Sequence, residues 1–361
     1  EHVTYFTYSN YAVRFDPADG LTKCWYEDLE LRPSEHYRAG STAANHLCRQ
    51  LYACSEDGIN FVKPELDVVE EDGHKTNIVL GGREYGDVHS ANFIIDPDPP
   101  RPEERFRAVY TFHRHDPNNR NIRCAHSPDG IHWTPYEFTP SFGTSGHRLG
   151  DVCVLAYDPD SREFVMNTRH MNMAGGVMDA RYPVHRSFMA PHQVDDWAAL
   201  KKRRVFQCRS HDFQHWSEPI LVAAADDDFD NLDDSFYSMC HYRVGRTYIG
   251  LAGVLHQVDG SRSVQMLVSR DGIRWNRVNK GQPFLAPRGE GYWDARMQSI
   301  VSPPIEHGDE LWFYNGASEC SHDFWLAVHE GTGHPQTQDQ SLIRYALACR
   351  QLRTGGNAAP D

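Results

Sequence analysis

The chain has 361 residues, of which 40% are hydrophobic, 24% charged and 12% aromatic, with a formal net charge of −14. This is the profile of a folded globular chain and excludes a disordered or fibrous one. The acidic balance argues against a nucleic-acid partner, which would need clustered Lys and Arg. The one basic run, "KKRR" at 201–204, reads as a solvated helix end. No stretch approaches the roughly 18 apolar residues of a membrane-spanning helix, so neither nucleic acid nor membrane is an expected partner. The cytoplasm is the expected compartment, with export left open because the chain begins at Glu1 without a methionine. The nine cysteines are odd in number, scattered and flanked by strand-like residues, with no CxxC pair, so they are expected to be reduced and buried.

In chain order, five stretches share one pattern: a strand ending near Asp or a short polar turn, then a second strand. They are "YAVRFDPADGLTKCWYE", "ANFIIDPDPPRPEERFRAVYTF", "DVCVLAYDPDSREFVMNTR", "SMCHYRVGRTYIGLAGV" and "SIVSPPIEHGDELWFYNGAS". Between them recurs a short turn, "SEDGINF" from Ser55, "SPDGIHW" from Ser127, "SHDFQHW" from Ser210 and "SRDGIRW" from Ser269. Repeats at this interval indicate a modular architecture in which each unit is a four-stranded antiparallel sheet built of two hairpins. In the repeated turn the Ser and Asp side chains can bond turn amides, the Gly can take positive φ, and the aromatic can anchor the next strand. The motif is therefore evidence of fold and not a site.

The predicted fold is all-β, a single five-bladed β-propeller with blades at about 1–80, 81–145, 146–225, 226–285 and 286–352. The C-terminal "SLIRYALACRQL" is expected to finish the last blade by pairing with sequence from the other end of the chain. Blade three carries an insertion at 171–204 whose "VDDWAALKKRR" has helix-forming composition and a charge order that suits the helix dipole. It could cap the funnel or join a homo-oligomer.

The repeated turn resembles a shortened Asp box of sialidase propellers. Over nearly the whole chain, "YACSEDGINFVKPEL", "CAHSPDGIHWTP", "CRSHDFQHWSEPILV", "LVSRDGIRWNRV", "YWDARMQSIVSPPI" and "GDELWFYNGASE" resemble the five-bladed propeller glycosidases related to families 32, 43, 62, 68, 117 and 130. The resemblance implies a glycoside hydrolase with a small carbohydrate substrate and carboxylate catalysis in the central funnel. It also implies an acid at the mouth of blade one, where this chain has Asn10, and a Glu in blade three, where no first-strand Glu stands.

The innermost strands of a propeller bring their starts to one funnel. That places Asp87 with His89, Asp151, Asp234 and Asp294 around it, four carboxylates suited to general acid and base work. Asp151 and Asp294 are the leading pair, Asp87 and Asp234 the supporting acids, and Glu319 the alternative acid. Arg169, Arg296, His89, His241 and His322 could hold substrate hydroxyls or a carboxylate, while Tyr237, Trp293 and Trp325 could stack on a sugar face. His170 and His256 lie close by in the pattern. The doublet "HRHD" at 113–116 and the imidazoles of the channel could take a divalent cation, but no compact spacing such as HExxH assigns metal ligands and no cofactor is firmly implied. Two further readings stay open: a propeller recruited as a lyase, isomerase or cyclase of a secondary-metabolite pathway, and a non-catalytic carbohydrate-binding protein.

Overall fold

A computed structural model describes residues 6–31, 46–83, 85–113, 121–143, 149–170, 203–226, 228–231, 233–322 and 345–353. Among these the regular secondary structure is almost wholly strand, with two short 3₁₀ turns at Pro102–Glu104 and Val278–Gly281. The insertion expected at 171–204 falls largely outside the described residues, as do Trp325 and most of "HRHD". No described helix is long and apolar enough to cross a membrane.

Three four-stranded antiparallel meanders come first: β1 (Phe6–Asp16), β2 (Leu21–Leu31), β3 (His46–Ser55) and β4 (Ile78–Gly81); β5 (Asp87–Ile95), β6 (Phe106–His113), β7 (Asn121–Ser127) and β8 (Thr134–Pro135); β9 (Leu149–Asp158), β10 (Glu163–His170), β11 (Val205–Ser210) and β12 (Ile220–Ala223). A nine-stranded sheet follows. It joins the meander β13 (Asp234–Val244), β14 (Thr247–His256) and β15 (Ser261–Ser269) to a second one made of β16 (Met297–Ser299), β17 (Ile305–His307), β18 (Glu310–Ser318) and β19 (Tyr345–Arg353). A single parallel register, Arg262 with Met297, links the two halves. Among the described residues β19 pairs with β18 of its own sheet and has no N-terminal strand as ladder partner.

The first strands of successive units pack on one another: β1 on β5, β5 on β9, β9 on β13, and β1 back on β16 and β18. Each inner strand is thus covered on both faces, which is why it reads as a near-continuous apolar run and not as a clean alternation. On β9, Val152 and Val154 join the core around Tyr11 and Tyr237, while Cys153 and Leu155 join the core around Ile94 and Phe164. Successive side chains of a strand point to opposite faces, so one run serves two cores. The centre is closed by side chains. The Arg14 guanidinium donates to the Ser302 hydroxyl at 2.6 Å, to the Leu155 carbonyl at 3.1 Å and to Asn92 Oδ1 at 3.4 Å, tying four units together. Burial lowers its pKa to about 10.

The repeated turn is a clasp between neighbouring units. In each copy one Asp oxygen accepts two successive amide N–H groups: Ile59 and Asn60 on Asp57, Ile131 and His132 on Asp129, Gln214 and His215 on Asp212, Ile273 and Arg274 on Asp271. The following residue has positive φ in every copy: Gly58, Gly130, Gly272, and in the third copy Phe213 at +67°. A non-glycine there is strained by about 1–3 kcal/mol; full burial of Phe213, edge-on to Phe164 at 4.7 Å, offsets this. The carbonyl of that residue is then held by the preceding unit: Tyr314 Oη donates to Gly58, Trp25 Nε1 to Gly130 and Gln207 Nε2 to Gly272. Trp25 is fully buried and stacked on Phe93 at 5.3 Å, a residue of the next unit. Eight of the nine cysteine side chains are described; all eight are free thiols, and all but Cys54 are buried.

Candidate functional site

At the C-terminal ends of the inner strands the acids are structural. Asp16 pairs with Lys23 and Arg105, Asp158 with Arg209 and the Tyr248 hydroxyl, and Asp96, just past β5, with Arg107. A cleft of about 1030 Å³ opens at this end, lined by Asp96, Arg101, Arg107, Tyr136, Phe164 and Asp212 among others. Its charged groups largely pair with each other, as in Arg107–Asp96 and Arg162–Asp98.

The starts of the inner strands differ. Four of them carry a break in register at the mouth: between Phe6 and Tyr11 in β1, His89 and Asn92 in β5, Leu149 and Cys153 in β9, Phe236 and Ser238 in β13. A bulge adds twist and re-aims a side chain out of the ladder. Asn10, Ser90, Asp151 and Tyr237 lie inside these four intervals and His89 bounds one of them. Ser90 takes positive φ, +54°.

The first group at this rim centres on Glu27, the fully buried acid of β2. It accepts hydrogen bonds from Asn10 Nδ2 at 2.9 Å and from the Ser90 amide at 2.5 Å, and His89 Nδ1 lies 3.1 Å from Oε1. Burial pushes the Glu27 carboxyl up, but the neighbouring His89 charge and these hydrogen bonds together hold it below the usual range. His89 Nδ1 is also 3.4 Å from the Cys48 thiol. Asp87, half-buried at the head of β5, accepts the Cys48 amide N–H at 2.6 Å, and its carboxyl is raised chiefly by burial. Asn10, which stands where the resemblance implies an acid, thus binds one supplied by the neighbouring strand.

The second group centres on Tyr237. Its ring lies 4.1 Å from the Arg169 guanidinium, 4.4 Å from that of Arg262 and 5.3 Å from that of Arg203, and its hydroxyl is 3.0 Å from His322 Nε2. Burial would raise this phenol, but Arg169, His322, Arg203 and Arg262 bring it well below its ordinary value. Asp234 is buried, with His256 Nδ1 at 2.5 Å on one oxygen and the Asn231 amide on the other. His256 Nε2 is 3.0 Å from the Ser263 hydroxyl.

The remaining expected residues separate. Asp294 is 0% exposed, with Arg288 Nε on one oxygen at 2.6 Å and Gln298 Nε2 on the other at 2.8 Å, an arrangement that holds the turn before β16 and leaves no face for substrate. His241 is likewise interior: Asn167 Nδ2 donates to its Nδ1, Tyr248 and Trp275 flank the ring, and burial lowers its pKa to about 4. Trp293 is half-buried near Arg288, Arg296 lies 4.0 Å from Glu290, and Glu319 is half-buried just past β18. Asp151 and His170 lie on β9 and β10, their side chains outside the described set. Glu27, Cys48 and Arg262 start no inner strand and carry no such signal, and Arg203, expected in a solvated helix end, is instead half-buried outside any helix against the Tyr237 ring. The one local sign is the set of three acids, Glu27, Asp28 and Glu30, inside the otherwise aromatic and apolar strand "CWYEDLEL".

No family model matches the chain, and no curated protein sequence matches it. Solved structures do. A thermostable family-43 glycoside hydrolase is 11% identical, covering 86% of this chain and 84% of its own, with a TM-score of 0.56. The β-1,2-mannobiose phosphorylase from Listeria innocua is 10% identical over 97% of this chain and 91% of its own, TM-score 0.56. An N-acetylgalactosamine deacetylase from F. plautii is 13% identical over 88% and 82%, TM-score 0.55. The chain therefore shares its fold with propeller glycosidases of families 43, 32 and 130, and with relatives of that architecture named for other reactions.

Proposed function

We propose that this chain is a single five-bladed propeller, with blades at about 1–80, 81–145, 146–225, 226–285 and 286–352. We further propose that it is a glycoside hydrolase acting on a terminal or short-chain sugar at the rim where the inner strands begin. The observation that carries the reading is the set of four bulges. They occur at the same level of four inner strands, and the intervals they span contain or adjoin Asn10, His89, Asp151 and Tyr237. Strand interruptions of this kind gather next to active sites, where a side chain must leave the sheet plane.

In this reading Asp87 and Asp151, at the mouths of neighbouring inner strands, act as the two carboxyl groups that glycoside cleavage requires. One gives a proton to the leaving oxygen, and the other activates water or attacks the anomeric carbon. Asp234 and Asp294 hold neighbouring groups in place, and Glu319 is the alternative acid. Arg169, Tyr237 and His322 form the wall against which the sugar is oriented, with Trp293 and Arg296 further along the rim. Glycosidase families 43 and 130 and the deacetylase share the fold, so the reaction rests on these residues and not on the likeness.

The test is hydrolysis of a panel of disaccharides and aryl glycosides. Asp87→Asn and Asp151→Asn should each lower kcat by about 10²–10⁴-fold with the far-UV spectrum unchanged. If both variants keep wild-type turnover, the assignment fails. One observation favours a second reading, a non-hydrolytic lyase or isomerase: the Tyr237 phenol among Arg169, Arg203, Arg262 and His322 is placed to serve as a proton-abstracting base. Product without incorporation of solvent oxygen, lost in Tyr237→Phe, would select it.

A further inference from the structure

Three side chains of different chemistry converge at the edge between the first two units. Glu27 comes from β2, Cys48 from β3 and His89 from β5, and one donor atom of each lies within 4.8 Å of the others. We propose that Glu27, Cys48 and His89 form a binding site for a divalent transition metal, zinc being the ion that suits the donors.

The distances carry the first step. With Zn–S near 2.3 Å and Zn–N or Zn–O near 2.0–2.1 Å, tetrahedral angles put S and N about 3.6 Å apart, and N and O about 3.3 Å apart. The Cys48 Sγ to His89 Nδ1 separation is 3.4 Å, and His89 Nδ1 to Glu27 Oε1 is 3.1 Å. Both edges shared by Nδ1 are thus within a few tenths of an ångström of the length a bound ion would impose.

The donors give the second step. Thiolate, imidazole and carboxylate together suit zinc or a neighbouring borderline ion, whereas calcium and magnesium require oxygen throughout. The Glu27 and Cys48 side chains are fully buried and His89 is 18% exposed, so access is from the His89 side.

The third step is the support around the ligands. Asn10 Nδ2 and the Ser90 amide fix the Glu27 carboxylate, and Asp87 fixes Cys48 through its backbone amide. Ligands held in this way by outer partners are characteristic of metal centres, and removal of such a partner lowers affinity by about 10–100-fold. The positive φ of Ser90 belongs to the same arrangement, since it turns the amide onto Glu27. Asn10, a departure from the pattern expected of a hydrolase, has its place as the outer ligand of this site.

Metal binding is tested on the full chain, stripped with a chelator and titrated with Co²⁺ and then Zn²⁺. One Co²⁺ per chain is expected, with a thiolate-to-cobalt charge-transfer band and the intense visible bands of four-coordinate cobalt, both abolished by Zn²⁺. Cys48→Ser should remove the charge-transfer band, His89→Ala should weaken binding by at least about 100-fold, and Asn10→Ala by about 10–100-fold. His256→Ala, at the other imidazole–carboxylate pair, should leave stoichiometry and band unchanged. Absence of saturable binding in the wild type overturns the proposal, as does a charge-transfer band that survives Cys48→Ser in folded protein. Should Cys48→Ser fail to fold, the partly exposed His89 decides, and unchanged affinity in His89→Ala overturns it.

Discussion

The clasp between units makes a quantitative prediction at Gly130. A Cβ added there would lie 2.6 Å from Trp25 Cζ2 and 3.3 Å from Phe106 Cδ1, and the residue sits at φ +83°. Trp25 cannot yield easily. It is fully buried, stacked on Phe93, and its Nε1 donates to the Gly130 carbonyl itself at 2.7 Å. Gly130→Ala should therefore lose about 1 kcal/mol through the left-handed backbone, about 1–3 through overpacking and about 1 through the displaced hydrogen bond. The sum, about 3–5 kcal/mol, is a large part of ordinary stability. Gly73 is the internal control, with φ +78° and nothing within 4 Å of the added carbon, so Gly73→Ala should carry only the backbone contribution of about 1 kcal/mol. Urea unfolding followed by tryptophan fluorescence and circular dichroism measures both. Midpoints that place the two variants within about 0.5 kcal/mol of each other would refute the claim that the repeated turn locks one unit to the next.

The His256–Asp234 pair should make stability depend on pH. Burial lowers the imidazole pKa, but the hydrogen bond and charge of Asp234, with Asp259 and Asp233, raise it above its unfolded value. The pair's contribution is therefore complete below about pH 6.5 and disappears as pH rises through the raised folded value. His256→Gln should be destabilised relative to wild type at about pH 5.5 and approach it at alkaline pH; a gap independent of pH would contradict this. Tyr237 should be visible spectroscopically. An ultraviolet difference titration of wild type against Tyr237→Phe should reveal one phenol ionising well below the usual value of about 10, and two superimposable titrations would remove it as a candidate base.

Much of the architecture is legible along the chain because it is written in short-range interactions. Each repeated turn is closed by hydrogen bonds between residues no more than three apart, such as Asp129 with Ile131 and His132, so four serine positions mark the turn after the third strand of four successive units. The same local reading finds Asp87, His89 and Tyr237 at strand starts, where they do lie on the rim. It misplaces Asp294 and His241, because whether a strand-start acid or an inner-strand imidazole faces solvent depends on partners, Arg288 and Gln298 in one case and Asn167 with two aromatic rings in the other. Phe213 shows the converse: a turn that lacks its glycine still closes, because a distant core accepts the ring.

The sequence by itself therefore determined the strand periodicity, the repeated turn and the position of Asn10, Asp87, Asp151 and Asp234 near the starts of strands, since these depend on side chain and backbone a few residues apart. Only the tertiary structure decided which side chains come together. Glu27 reaches His89 across 62 positions of sequence and Arg169 reaches Tyr237 across 68, and no local pattern encodes separations of that kind. They arise because consecutive sheets pack inner strand to inner strand, and because four of those strands break register near their starts.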